Sequence, residues 1–373
     1  MKNIHYILYK KIHHTYIMIP LRKILAVLVI VLSILILWYQ LRQRSSIMKL
    51  PANQAEASAI EAGQEGLANS APSAQKNELQ LMTVKNPGAG VSTYNVQSMG
   101  NLPLQEFCIK SSYNSACSGS YMGLDTIKYV LSRGCRFLDF ELYFVNNGAC
   151  VGYSDDGYNM LSKNTLTLSD TLDCVMSNAF SAPSPNLGDP LFVQLRIRSS
   201  DISMYEEVSS AITSTIGPRL YRGKVDGNTK INDLMGKIVL IVDRKVSGDY
   251  ANYPKCNAGD AGCVNLGTLT NMESNTAPLF KYSNVQMMNL LSNPPTMMKN
   301  KQSDVAVLRM TEPMNSSETM NPNAAYLIQN YGTQIVENRF YVKDTALTKY
   351  EDFFRENKSA LVPFYLALPY LKK

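Results

Sequence analysis

Two acids in one strand-like run are the residues of this chain best placed to do chemistry. In FLDFELYF, residues 137–144, polar and apolar positions alternate. Leu138, Phe140 and Leu142 therefore share one face, and Asp139 and Glu141 share the other. Two carboxylates on neighbouring same-face positions lie ~7 Å apart along a strand. Where buried, they need a cation, an arginine or a proton beside them. Such a pair suits metal binding or proton transfer, but a strand with a solvated acidic edge has the same pattern, and periodicity leaves both open.

Three other groups carry chemical interest. In LFVQLRIR, residues 191–198, Gln194, Arg196 and Arg198 share one strand face. Asp155 and Asp156 precede Gly157, a sequence that makes a turn or, less economically, supplies a base or an acidic metal site with Asp139 and Glu141. Arg244 and Lys245 follow the apolar run KIVLIVD, where they would bind a phosphate or sit in a solvated loop.

The elements that must position these residues alternate in type. Short apolar runs at 136–144, 191–198, 237–243, 304–310 and 333–337 read as strands. Helical patterns fall at 121–132, 168–180, 204–216, 284–292 and 347–356. Strands alternating with helices predict an α/β domain with a parallel sheet. A (β/α)8 barrel needs about 250 residues, which the chain beyond residue 100 supplies.

The order of short motifs resembles the catalytic barrel of the phosphoinositide-specific phospholipases C. The family opens its X half with Ser-Ser-His-Asn, and Ser111-Ser112-Tyr113-Asn114 stand here. The family's Gly-Cys-Arg and two-acid strand correspond to Gly134-Cys135-Arg136, Asp139 and Glu141. Its Tyr-His-Gly turn corresponds to Gly152-Tyr153-Ser154, and its Leu-Glu pair to Leu195-Arg196. GKIVLIVDRK (236–245) resembles the strand closing the X half. Ser316-Ser317, Asn321-Pro322, YGTQIV (331–336) and FYLALP (364–369) follow in the order of the Y half. The resemblance spans roughly 105–370 and implies a TIM-barrel-like phosphodiesterase domain.

It also implies a changed site. In the family two histidines act as general acid and base. Calcium is held by the Asn after the first histidine, the two strand acids and the Glu of the Leu-Glu pair. Asn114, Asp139 and Glu141 are retained in kind, with Asp and Glu exchanged. The histidine positions hold Tyr113 and Tyr153, and the fourth ligand position holds Arg196. Tyrosine, with a pKa of ~10, is a poor proton shuttle near neutrality, and arginine cannot ligate calcium. The expectation is an internal pair between Arg196 and the two acids in place of the metal, with no cofactor. Calcium returns only if an altered but active site operates.

The rest of the chain bounds the setting. Net charge is +6, and no Lys/Arg run interleaved with aromatics suggests nucleic-acid binding. The three histidines, His5, His13 and His14, all precede residue 15, and no Cys-x-x-Cys pair exists, so a zinc site is not expected. Cys256 and Cys263 bracket a Gly/Asn/Asp loop and would pair in an oxidising compartment. Residues 1–21 form a basic segment in which Met18 is an alternative start. Residues 22–42, flanked by Arg22, Lys23 and Arg42, read as one transmembrane helix, with a cleaved signal peptide as the rival reading. The excess of Lys and Arg ahead of it predicts a type II single-pass orientation with the domain on the luminal or extracellular side. There Asn315 and Asn357 would be glycosylation acceptors. Residues 43–100, rich in Ala, Ser, Gln, Asn and Gly, read as a flexible linker before a domain at 101–373.

The sequence therefore points to a membrane-anchored, catalytically degenerate barrel that binds a lipid headgroup or a protein partner. Two alternatives remain: an active phosphoric diester hydrolase with an altered site, and an architectural component of a large assembly such as a virus particle.

Overall fold

A computed structural model describes residues 71–84, 87–154, 159–247, 250, 265–283, 308–313 and 320–372. The expected basic segment, transmembrane helix and the first part of the linker lie outside the described residues, as do Asp155, Asp156, Cys256, Cys263, Asn315, Ser316, Ser317 and the helix at 284–292. No helix among the described residues is long and apolar enough to cross a membrane.

Among the described residues, eight strand positions run parallel and close on themselves. Strand one has two parts, β1 (Phe107–Ile109) and β2 (Ser111–Ser112). It is followed by β3 (Phe137–Val145), antiparallel β4 (Gly148–Gly152) and β5 (Leu166–Thr167), then β6 (Leu191–Ile197) and β7 (Ile238–Asp243). The wall continues through β8 (Met272–Ser274), β9 (Leu279–Ser283), β10 (Leu308–Glu312) and β11 (Ile335–Val336). Closure comes from strand one, because β1 pairs β11 at Ile109 and Ile335 while β2 pairs β3 at Ser111 and Phe137. Antiparallel β12 (Leu361–Pro363) adds to β1. Of the expected strand at 304–310, residues 308–310 are described and the strand runs on to Glu312, while that expected at 333–337 is shorter. Helices α2 (Leu124–Ser132), α3 (Leu168–Ala179), α4 (Ile202–Ser214), α5 (Ala324–Tyr331), α6 (Thr345–Glu356) and α7 (Phe364–Leu371) complete the layer outside the wall, with α1 (Ala71–Thr83) ahead of it.

Strand parity separates two cores. Leu138, Phe140, Val193, Leu195, Leu240 and Val242 pack with helix residues such as Ile127, Val175 and Ile212. The alternate positions, Phe137, Phe192, Val239, Ile241, Met310 and Ile335, pack together as the interior of the barrel. One step further toward the C-terminal strand ends, the same inward parity passes through Asp139, Glu141, Gln194, Arg196, Asp243, Lys281, Glu312 and Glu337. The interior is therefore apolar at its base and polar at the end where barrels of this architecture place their sites.

Residues 71–100 correct the expected linker. Helix α1 and the described chain after it, from residue 87, pack against the domain. Met82, Val91 and Tyr94 are buried, and the Tyr94 ring meets Phe107 edge-on at 5.1 Å. The Tyr94 N–H also donates to Asp189 at 2.7 Å. Composition suggested too little apolar surface here, but three well-spaced large side chains suffice once a preformed domain accepts them.

Helix α6 fixes the first strand. The Tyr350 hydroxyl accepts from the Ser111 N–H at 2.7 Å. Glu351 receives Arg133 Nε at 2.6 Å and lies 3.6 Å from Lys110 Nζ. Burial opposes the charge on Glu351, but Lys110 and Arg133 hold its carboxyl below the usual range. Stability from a lowered acid is present above the unfolded pKa and lost as pH falls through the folded one. Glu351→Ala should cost roughly 3–5 kcal/mol by leaving buried cations unpaired. It should also flatten the acid limb of the urea midpoint plotted against pH.

Candidate functional site at the barrel mouth

The site is assembled from the ends of three neighbouring strands. In β3 and β6 the register sets Asp139 beside Gln194 and Glu141 beside Arg196. β3 outruns the barrel and returns as a hairpin whose two-residue turn, Asn146-Asn147, has φ of 51° and 61°. Positive φ at both central residues is the turn that matches strand twist, and asparagine tolerates it. The returning strand delivers Tyr153 and Ser154 to the mouth. Beyond β2 the chain turns at Asn114, again with positive φ, 43°.

One guanidinium binds all of these pieces. Arg196 Nε donates to Asp139 Oδ1 at 2.9 Å, and Nη2 donates to Asp139 Oδ2 at 2.8 Å. Nη2 also reaches Asn114 Oδ1 at 2.6 Å, and Nη1 lies 3.1 Å from Glu141 Oε2. The guanidinium carbon stands 4.7 Å from the centre of the Tyr113 ring. Asp139 further accepts from Gln194 Nε2 at 3.0 Å and from the Asn114 N–H at 3.1 Å. Glu141 accepts from Arg198 Nε at 2.5 Å and from the Ser154 N–H at 3.1 Å. Burial works against the charge of Arg196, but Asp139 and Glu141 raise its pKa well above the usual guanidinium value. The cation is therefore permanent.

The two tyrosines stand in different surroundings. Removal from water pushes the Tyr113 hydroxyl well above the usual tyrosine range, which Arg196 alongside only partly opposes. Tyr153 is half-buried against the outer core, and its backbone is tied to the 161–162 segment. Asp155 and Asp156 lie outside the described residues.

The expected phosphate-binding pair is placed differently. Arg244 and Lys245 begin a single helical turn, Arg244–Ser247, rather than a loop. Arg244 stands over the Tyr250 ring at 5.6 Å, and Lys245 is exposed. The inward group at the end of β7 is instead Asp243, which accepts from the Lys245 and Val246 N–H groups. Lys281 lies 2.5 Å from Asp243 Oδ2 and 2.7 Å from Glu312 Oε2. Burial disfavours its charge, yet Glu312 and Asp243 raise its pKa.

Lys281, Glu312 and Glu337 escaped the sequence reading, although LFKYS and LRMTE put a charge on the inward parity of an apolar strand. Glu337 is fully buried, and neither carboxylate oxygen has a hydrogen-bond partner among the described residues. Burial above all, then Asp139 nearby, pushes its pKa well above the usual carboxylate range.

A calcium ion does not fit this donor set. Asn114 Oδ1, Asp139 and Glu141 are the three retained ligand positions, and one fixed cation occupies all of them. No group of three or more metal-binding side chains is found among the described residues.

Comparison with known proteins places the chain. Residues 100–244 match the family model described as the phosphatidylinositol-specific phospholipase C, X domain. The crystal structure of L. pealei PLC21 is similar with a TM-score of 0.55 at 16% identity, covering 70% of this chain. That of S. officinalis PLC21 gives 0.54 at 14% identity, covering 73%. This chain spans 37% and 38% of those two proteins. At such identities the likeness is one of fold. No curated protein sequence matches. Residues 100–244 are thus similar to a phosphatidylinositol-specific phospholipase C X domain, and the fold is similar to the barrel of the two solved structures.

Two outcomes follow from this geometry. Arg196→Met strands two buried carboxylates and should lower the unfolding free energy by about 3–5 kcal/mol, read from urea denaturation. For Glu337 the sign is opposite to that of Glu351. A raised acid contributes stability below the unfolded pKa that is lost as pH rises through the folded one. Glu337→Gln should therefore gain on the wild type as pH rises above about 5, by up to about 1.4 kcal/mol per pH unit. Equal differences at every pH would contradict this.

Proposed function

We propose that this chain is a catalytically degenerate phospholipase C-type barrel that serves as a binding module for a lipid headgroup or a protein partner. The observation that carries it is Arg196, seated within 3.1 Å of both strand acids and bonded to Asn114. In an active family member those three positions would face a dissociable ion. Here they face a side chain.

The loss of acid–base partners points the same way. Tyrosines at 113 and 153 supply no proton transfer near neutrality, and each missing partner is worth perhaps 10²–10⁴-fold in rate. Membrane attachment through residues 22–42 belongs to this proposal and rests on their apolar composition. A barrel tethered in this way would meet its ligand at high local concentration, so modest affinity would suffice.

The test is hydrolysis of labelled phosphatidylinositol by the full chain in detergent, with calcium and with chelator, beside Asp139→Asn. The expected result is no turnover above blank in any arm. Calcium-dependent turnover abolished by Asp139→Asn would instead establish an active diester hydrolase with an altered site. A second measurement adds calcium to Arg196→Glu. That variant supplies a fourth ligand, the third acid of the set, and a calcium-dependent rise in its melting temperature, absent from the wild type, would show that Arg196 had stood in for the metal.

A further inference from the structure

The turn after Asn114 holds a second polar feature that uses none of the residues at the barrel mouth. Ser118, Ser120 and Tyr121 converge on one carboxylate oxygen supplied by the helix ahead of the domain. Glu78 Oε2 accepts from the Ser118 hydroxyl at 2.7 Å, the Ser120 N–H at 2.9 Å and the Tyr121 N–H at 3.3 Å. Successive backbone N–H groups aimed at one point form a concave anion site of the kind called a nest. Gly119 has φ of 140°, and a Cβ there would meet Glu78 Oε2 at 3.3 Å, so glycine provides both the turn and the room. Lys163 adds positive charge at its rim, with Nζ 5.2 Å from the centre of the Tyr121 ring.

Glu78 behaves as a bound ligand would. It is half-buried, and although burial opposes its charge, the Ser120 and Ser118 hydrogen bonds hold its carboxyl below the usual range. Three donors on a single oxygen are more than helix docking requires. Gln75, one turn earlier, already ties the helix to the Met122 carbonyl at 2.9 Å.

We infer that the Ser118–Tyr121 turn is an oxyanion-binding site, occupied in cis by Glu78 of α1, so that helix docking and capture of an external carboxylate or phosphate exclude one another. The helix is then a built-in competitor, and the site opens only when α1 lifts. Phosphate and carboxylate share the recognising chemistry, a compact oxygen carrying negative charge.

The experiment is hydrogen exchange by mass spectrometry on the full chain in detergent, following peptides that cover 118–123. Glu78→Ala should speed exchange at Ser120 and Tyr121 at least about tenfold, as expected for losing charge-assisted hydrogen bonds. Millimolar inorganic phosphate or acetate should then restore protection in Glu78→Ala, with chloride at equal ionic strength ineffective and the wild type unchanged. Protection by phosphate alone would assign a phosphate ligand, and by acetate alone a carboxylate. Wild-type exchange in Glu78→Ala, or no protection by either oxyanion, would overturn the inference. Should Glu78→Ala fail to fold, Glu78→Gln keeps the side-chain shape without the charge and is read in the same way.

Discussion

The mouth of this barrel is organised by one buried guanidinium. Arg196 joins β6 to the acids of β3 and to the turn after β2, so three segments distant in sequence share one charge. Two acids buried two residues apart would repel and lose hydration. The planar fork of arginine answers both through several directed hydrogen bonds at once. Lysine would provide the charge without that geometry. The position of Asn114, the stacking on Tyr113 and the orientation of Asp139 all follow from where the guanidinium lies.

The opposite side of the mouth repeats the device with a different cation. Lys281 sits between Asp243 and Glu312, so a second ion-paired cluster from different strands joins the inward polar layer. Glu337 stands between the two clusters without a hydrogen-bond partner among the described residues, and burial holds its pKa well above the usual carboxylate range. A barrel whose upper layer is closed by internal ion pairs has little need of an external cation, which is the physical basis of the binding role proposed above.

The parts legible in the sequence were those with local periodicity. The alternation of FLDFELYF and LFVQLRIR placed Asp139, Glu141 and Arg196 on inward faces, and the motif order pointed to the phospholipase C-type barrel. Lys281, Glu312 and Glu337 were missed because their strands are short, and a lone charge in a five-residue run reads as an edge. The ordering of 71–100 was missed for another reason. Glu78 and Tyr94 bind backbone and side-chain groups that exist only after the domain has folded, which composition cannot register. Arg244 and Lys245 open a helical turn that the sequence pattern did not indicate, and Asp243 holds the inward position just before them.

The shared use of Arg196 also bears on evolutionary reversibility. A change at Arg196 alone strands Asp139 and Glu141, and a change at either acid alone strands the arginine. Placing histidine at position 113 exchanges the phenol ring that the guanidinium lies over for a smaller imidazole that can itself carry positive charge. Every single substitution leading toward a metal-binding mouth therefore passes through a less stable protein. Several would have to occur together, and the present arrangement is a local trap on the mutational landscape.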